Sequence, residues 1–204
     1  MIPSIEQDAF IECYPSGQPF YYHRPEWRIQ DIAYHLSRKP RFAGGIRWWY
    51  SLAHHATLAV WLASYHADAD PLENLCHDFM EFALEDVNAP AKRGLAEYKL
   101  LEDLLYADFA PTAGLPQKLT PAAKICDGEA LVIEGHHLLL SQGRTLRDYD
   151  KFCHALGYGM VLRPPVDMNT EMDQAAARVI CLFECLKAIP RERRLGNKWL
   201  KEAA

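Results

Sequence analysis

His77 and Asp78 stand side by side in "LCHDFMEFALED", with Glu81 and Asp86 close behind. On a helix, Asp78 and Glu81 lie three residues apart and His77 and Glu81 four apart, so all three side chains share one face. An imidazole and two carboxylates on an otherwise apolar helix are costly to bury unless each finds a partner. A solvent-exposed helix end is the bland explanation. A metal centre is the chemical one, because imidazole nitrogen with carboxylate oxygen suits a divalent transition metal, and ligands from separate helices commonly build such a centre inside a bundle. Two other apolar stretches carry further donors: "SLAHHATLAV" has His54 and His55, and "KICDGEALVIE" has Asp127. A set of His55, His77, Asp78 and Asp127 leaves coordination positions for water and a phosphate oxygen, where a metal acidifies the water and polarises phosphorus. Zinc, cobalt, manganese, iron and nickel all tolerate these ligands.

The elements that must position these residues read as helices. "RIQDIAYHLSR" places Ile29, Ile32, Ala33 and Leu36 at helical spacing and ends before Pro40. "WWYSLAHHATLAVWLASYH" repeats the period, and "PLENLCHDFMEFALED" opens with a proline suited to a first helical turn. "GLAEYKLLEDLLYADF", "PAAKICDGEALVIEGHHLLLS", "LRDYDKFCHALGYG" and "TEMDQAAARVICLFECLKAI" continue the pattern. Turn formers in "CYPSGQPFYYHRPEW" predict loops and short extended segments. A short strand pair around Phe20 to His23 and Met160 to Leu162 is the exception to helix. The expected fold is all-α, a single-domain helix bundle over residues 1–204.

Composition narrows the function. A chain of 204 residues, half of them apolar, suffices for one domain with a substantial core. A net charge of −5 supplies no basic field for nucleic acid. No apolar run reaches the roughly 18 to 20 residues that cross a bilayer. Six scattered cysteines without a C-x-x-C pair, behind an N-terminus unlike a signal segment, predict reduced thiols and a cytoplasmic protein.

Four blocks, "DIAYHLSRKPRFAGG", "YSLAHHATLAV", "LCHDFMEFALEDVNAPAKR" and "KICDGEALVIE", resemble successive motifs of the HD-domain phosphohydrolases. The likeness is to their 5'-deoxynucleotidase group and phage-type relatives, which include phage dATP triphosphohydrolases. It spans roughly Ser16 to Glu134, with a motif core of about 41–134, and leaves the helical C-terminal extension 144–204 unassigned. It implies an HD-domain bundle with metal ligands His55, His77, Asp78 and Asp127, the block spacing selecting His55 over His54. It further implies that Glu81 positions or deprotonates the attacking water and that Asp86 lies near the sugar and the reaction centre. Arg41 falls on the arginine that holds substrate phosphate, Phe42 on the aromatic beside the deoxyribose, and Lys92 on a further phosphate contact. Gly44-Gly45 departs from the Gly-His that phage-type members often carry, which bears on the substrate more than on the metal.

The expected activity is metal-dependent hydrolysis of a small-molecule deoxynucleotide, as a dNTP triphosphohydrolase of the dATP type or a dNMP 5'-nucleotidase, with additional magnesium accompanying a triphosphate. Hydrolysis of a signalling nucleotide (an alarmone or cyclic dinucleotide) and non-catalytic nucleotide binding are the rivals. No nucleic-acid or membrane partner is expected, whereas a homo-oligomer is. Several features read as structural: His54 as a helix-face histidine with a local hydrogen bond, His136 and His137 as residues on the exposed side of a helix, and Trp48, Trp49, Tyr50 and Trp61 as core or subunit interface. The tail "PRERRLGNKWLKEAA" reads as a solvated, frayed end.

Overall fold

A helix that is apolar on every side must be surrounded by other elements, and "LAHHATLAVWLA" is such a helix. The computed structural model describes residues 6 and 8–201. A small antiparallel hairpin, β1 (Phe10–Glu12) and β2 (Pro19–Tyr21), precedes helices α1 (Ile29–Ser37), α2 (Leu52–Ala63), α3 (Pro71–Cys76), α4 (Glu81–Leu84) and α5 (Ala89–Lys92). Then follow α6 (Ala96–Phe109), α7 (Pro121–Leu138), α8 (Tyr149–Phe152), α9 (Met168–Lys187) and α10 (Arg191–Arg194). The fold is all-α apart from the hairpin. Helix α2 lies at its centre, packed by α1, α3, α7 and α9, and leaves only His54, Thr57 and Trp61 outside its buried set. One core joins Ile32 and Leu36 of α1 to Leu72 and Leu75 of α3 and Val179 and Phe183 of α9. A second joins Leu58 and Leu62 of α2 to Cys126, Ala130 and Ile133 of α7.

Local chemistry fixes where helices begin. Asp70 and Thr120 cap α3 and α7 by accepting from Leu72 N at 3.0 Å and Ala123 N at 3.2 Å, each with a proline at the first helical position. Helix α2 starts at Leu52 rather than at Trp48, because Ser51 N donates to His54 Nδ1 at 3.2 Å and closes the N-terminus there. Pro40 and Ser51 form an isolated bridge that closes the loop between them, which begins with a 3-10 turn over Arg41–Gly44.

Three further expectations are corrected. Phe20 lies in a strand, but that strand pairs with Phe10–Glu12, while Met160 to Leu162 has no regular structure. "LRDYDKFCHALGYG" is not one helix: it divides into α8 and a 3-10 turn over Cys153–Tyr158. The segment docks closely on α7, where a β-carbon on Gly128 would stand 2.4 Å from the Phe152 ring. The basic tail is not a frayed end. Arg194 is buried and forks onto Asp70, with Nε 2.7 Å from Oδ1 and Nη2 3.0 Å from Oδ2, and Trp199 is buried with its ring 5.4 Å from that of Trp61. Asp70 supplies the cause, since a buried carboxylate needs a cation.

Residues 1–5 and 7, read for their lack of a signal segment, and residues 202–204 of the tail lie outside the described residues. Among the described residues no helix is long and apolar enough to cross a membrane. Arg194→Ala takes the fork from buried Asp70 and leaves it Arg191 Nε at 3.3 Å, so it is expected to cost up to about 3–5 kcal/mol, measured as the free energy of urea unfolding by circular dichroism. A cost below about 1 kcal/mol would show the tail to be dispensable.

Candidate metal centre

The stretch that carries His77 and Asp78 is not a continuous helix. Helix α3 ends at Cys76 and α4 begins at Glu81, and between them the hydrogen bonds tighten to three-residue spacing: Phe79 N to Cys76 O at 3.1 Å and Glu81 N to Asp78 O at 3.0 Å. The expected single helical face for His77, Asp78 and Glu81 is therefore replaced by a tight turn. That turn points His77 and Asp78 at α2, where His55 is fully buried, and at Asp127 on α7.

The Nε2 atoms of His55 and His77 are 3.0 Å apart. Asp78 Oδ2 lies 3.4 and 3.3 Å from them, and Asp127 Oδ1 lies 3.3 and 3.7 Å from them. All four donor atoms fall within 4.8 Å of one another, and among the described residues this is the group of three or more such donors that could hold a metal ion. His77 Nδ1 donates to Asn74 O at 2.6 Å, and His55 Nδ1 stands 2.8 Å from Glu134 Oε1. With both rings donating through Nδ1, the two Nε2 lone pairs face each other, an arrangement that a shared cation resolves. Metal–ligand distances of about 2.0–2.2 Å place neighbouring donors about 3.0–3.5 Å apart, a range that holds every separation quoted above except the 3.7 Å between His77 and Asp127.

The electrostatics point the same way. Burial opposes protonation of His77, but Asp78 and Asp127 outweigh it and raise its pKa to about 10. For His55, burial and Arg41 are outweighed by Glu134, Asp127 and Asp78, and its pKa also rises. Burial works against the Asp78 carboxylate, yet His77 and His55 hold it well below the usual carboxylate range. The pocket demands positive charge.

The other residues singled out from sequence divide into two groups. Glu81 is buried, with Oε1 accepting from Lys92 Nζ at 3.1 Å and Oε2 lacking any hydrogen-bond partner. Burial first, then Asp78, pushes its pKa up to about 8. Lys92 also bonds Glu102 at 2.5 Å. Asp86 Oδ2 lies 3.8 Å from Arg41 Nη1. Arg41 is buried and donates from Nε and Nη2 to Glu134 Oε2 at 3.3 and 3.2 Å. Phe42 is tied to this group only through Arg41, whose guanidinium carbon stands 5.5 Å from its ring centroid. Phe42 and Ala43 both adopt positive φ, 54° and 51°, in the tight turn that sets Arg41 inward.

A cavity of about 670 Å³ opens from the cluster. His77, Asp78, Asp127 and Lys92 line one end, Leu100, Leu104 and Ala107 of α6 form an apolar wall, and Lys118 and Lys124 bring positive charge, while Lys99 is paired with Glu102 and Asp103 of the same lining.

Glu134 belongs to this centre and is not among the site residues expected from the sequence. Its spacing was the available signal, because Glu134 follows Asp127 by seven residues, two turns along one face of α7. His137 Nε2 instead faces Met160 O at 3.2 Å. His66 and His154 each stand 2.8 Å from the fully buried Glu129, joining the turn after α2 and the 153–158 turn to α7. His54 bonds Ser51 within its own helix end and Glu171 of α9 at 2.9 Å.

A group with a raised folded-state pKa lends stability that is complete below its unfolded value and fades as pH climbs through the folded one. Metal-free protein is thus expected to lose melting temperature as pH rises from 6.5 towards about 10, the interval over which folded His77 gives up its proton. Saturating zinc should flatten that slope, and a slope that zinc leaves unchanged would place the effect outside the cluster. Asp78→Ala removes one ligand and should weaken zinc binding at least tenfold, read by competition with a chromophoric chelator.

No family model matches the chain. Over 138 residues it is 36% identical to the uncharacterized protein YfdR of Escherichia coli (strain K12), an alignment that covers 66% of this chain and 75% of that protein. At that identity and coverage, the chain belongs to the family of YfdR.

Proposed function

We propose that the protein is a metal-dependent phosphohydrolase of the HD-domain type that acts on deoxynucleotides, as a triphosphohydrolase or a monophosphate nucleotidase. One observation carries the reading: beside a cluster suited to a metal, Glu81 presents a buried carboxylate oxygen with no hydrogen-bond partner. A structural carboxylate in that position would be saturated, as Glu134 and Glu129 are. A divalent ion held by His55, His77, Asp78 and Asp127 would polarise a phosphoryl oxygen and acidify water.

The chain's own residues supply the rest. Ionised Glu81 takes the proton of the attacking water, and its raised pKa makes it a competent base near neutrality. Lys92, on the other Glu81 oxygen, keeps the carboxylate directed. Asp86 orients the water or the sugar, and Arg41 Nη1 beside it offers donors to phosphate. Lys118 and Lys124 at the cavity favour an anionic substrate. The apolar wall of α6 offers a surface on which a base or sugar can lie.

Glu81→Ala should lower kcat about 10²–10⁴-fold while nucleotide affinity, measured by calorimetry, changes little; parallel losses in both would indicate simple binding. Because only ionised Glu81 accepts a proton, kcat/KM should rise with pH through an inflection at or below about 8, a bound cation offsetting the Asp78 contribution. Product analysis with dAMP and dATP decides the substrate: intact triphosphate from dATP marks a triphosphohydrolase, and inorganic phosphate from dAMP alone marks a nucleotidase. Release of none of these from any deoxynucleotide by zinc-, cobalt- or manganese-loaded protein would end the proposal.

A further inference from the structure

Helix α7 sends two carboxylates towards α2 from one face, Asp127 and, two turns later, Glu134. The His55 ring lies between them, with Nε2 3.3 Å from Asp127 Oδ1 and Nδ1 2.8 Å from Glu134 Oε1. Glu134 is fully buried and its carboxylate is met by donors on both oxygens: His55 on Oε1 and the Nε and Nη2 of Arg41 on Oε2. We infer that Glu134 is a positioning residue that couples the metal centre to the phosphate-binding arginine, fixing the ring orientation of His55 and the direction of the Arg41 guanidinium through the two oxygens of one carboxylate.

The geometry gives each oxygen a separate task. Oε1 holds the proton of His55 on Nδ1, which leaves the Nε2 lone pair for the metal and increases its basicity. Oε2 occupies Nε and one terminal nitrogen of Arg41, so Nη1, the nitrogen nearest Asp86, is left for an incoming anion. A carboxylate that merely neutralised Arg41 would not need His55. One that merely served His55 would not need the guanidinium. A glutamine in its place offers a single carbonyl oxygen and turns an amide N–H towards whichever donor remains, so it cannot serve both.

The metal half of this inference stands on the donor geometry alone, and the Arg41 half rests on the phosphohydrolase reading. The test separates them. Metal-stripped Glu134→Gln, titrated with Co²⁺ and followed by its visible absorption, should bind 10–100-fold more weakly than wild type with an altered spectrum. Zinc-loaded Glu134→Gln should also lose affinity for pyrophosphate, whereas Arg41→Gln should lose pyrophosphate affinity and keep Co²⁺ affinity within about threefold, since His55 retains its own oxygen. Co²⁺ affinity and spectrum unchanged in Glu134→Gln would overturn the proposal. Loss of Co²⁺ affinity with pyrophosphate binding intact would overturn the coupling alone, and absence of pyrophosphate binding by wild type would count against the phosphohydrolase reading and leave the metal result standing. Should Glu134→Gln fail to fold, ¹⁵N spectra of zinc-loaded wild type decide the first half: His55 must carry its proton on Nδ1, and a proton on Nε2 refutes it.

Discussion

Two imidazoles whose Nε2 atoms meet at 3.0 Å, one of them fully buried, form an arrangement that requires a proton or a cation shared between the nitrogens. Much of the surrounding structure is organised by that meeting. The His77 ring is fixed from behind by the Asn74 carbonyl and the His55 ring by Glu134, so neither can turn its lone pair aside. Two aspartates then close the opposite side. With two carboxylates drawing positive charge onto the facing nitrogens, the cluster has the properties of a cation site.

Holding such a group in place requires rigid supports on either flank, and both flanks carry strained backbone. Phe42 and Ala43 adopt left-handed φ before the chain turns to Tyr50, and Glu85 adopts φ 71° where α4 stops. Each such non-glycine residue costs of order 1–3 kcal/mol, and each is over-determined by neighbours. Arg41 is clamped by Glu134, and its amide donates to Tyr50 O at 2.9 Å. Lys39 Nζ reaches the carbonyls of Glu81 and Phe82 at 3.0 and 2.9 Å and the Glu85 carboxylate at 2.6 Å, satisfying the end of α4. Strain and its compensation thus sit on the segments that present Arg41, Glu81 and Asp86.

The C-terminal third is part of the same machinery. Helix α9 packs on α1, α2 and α3, and Arg194 neutralises the aspartate that starts α3, the helix leading into His77. The segment after α7 closes over it where Gly128 and Gly135 leave room. What holds the His77 turn against α2 therefore includes residues more than a hundred positions away in the chain.

Helical periodicity, the proline that opens α3 and the apolar character of α2 were legible in the sequence, because they depend on neighbours within a few positions. So was the donor set, since residue types that are expensive to bury stand out within apolar runs. The tight turn at His77, the fork between Asp70 and Arg194 and the Glu129 clamp were not legible. Each depends on a partner that only packing brings near, and a charged residue in a basic tail reads the same whether solvated or paired. Glu134 falls between the two cases: its seven-residue spacing from Asp127 placed both carboxylates on one face of α7. That the face meets His55 end to end, and that Arg41 arrives from a strained loop to share the same carboxylate, was decided by tertiary structure, because side-chain direction across separate elements is set by how they pack and not by their periods.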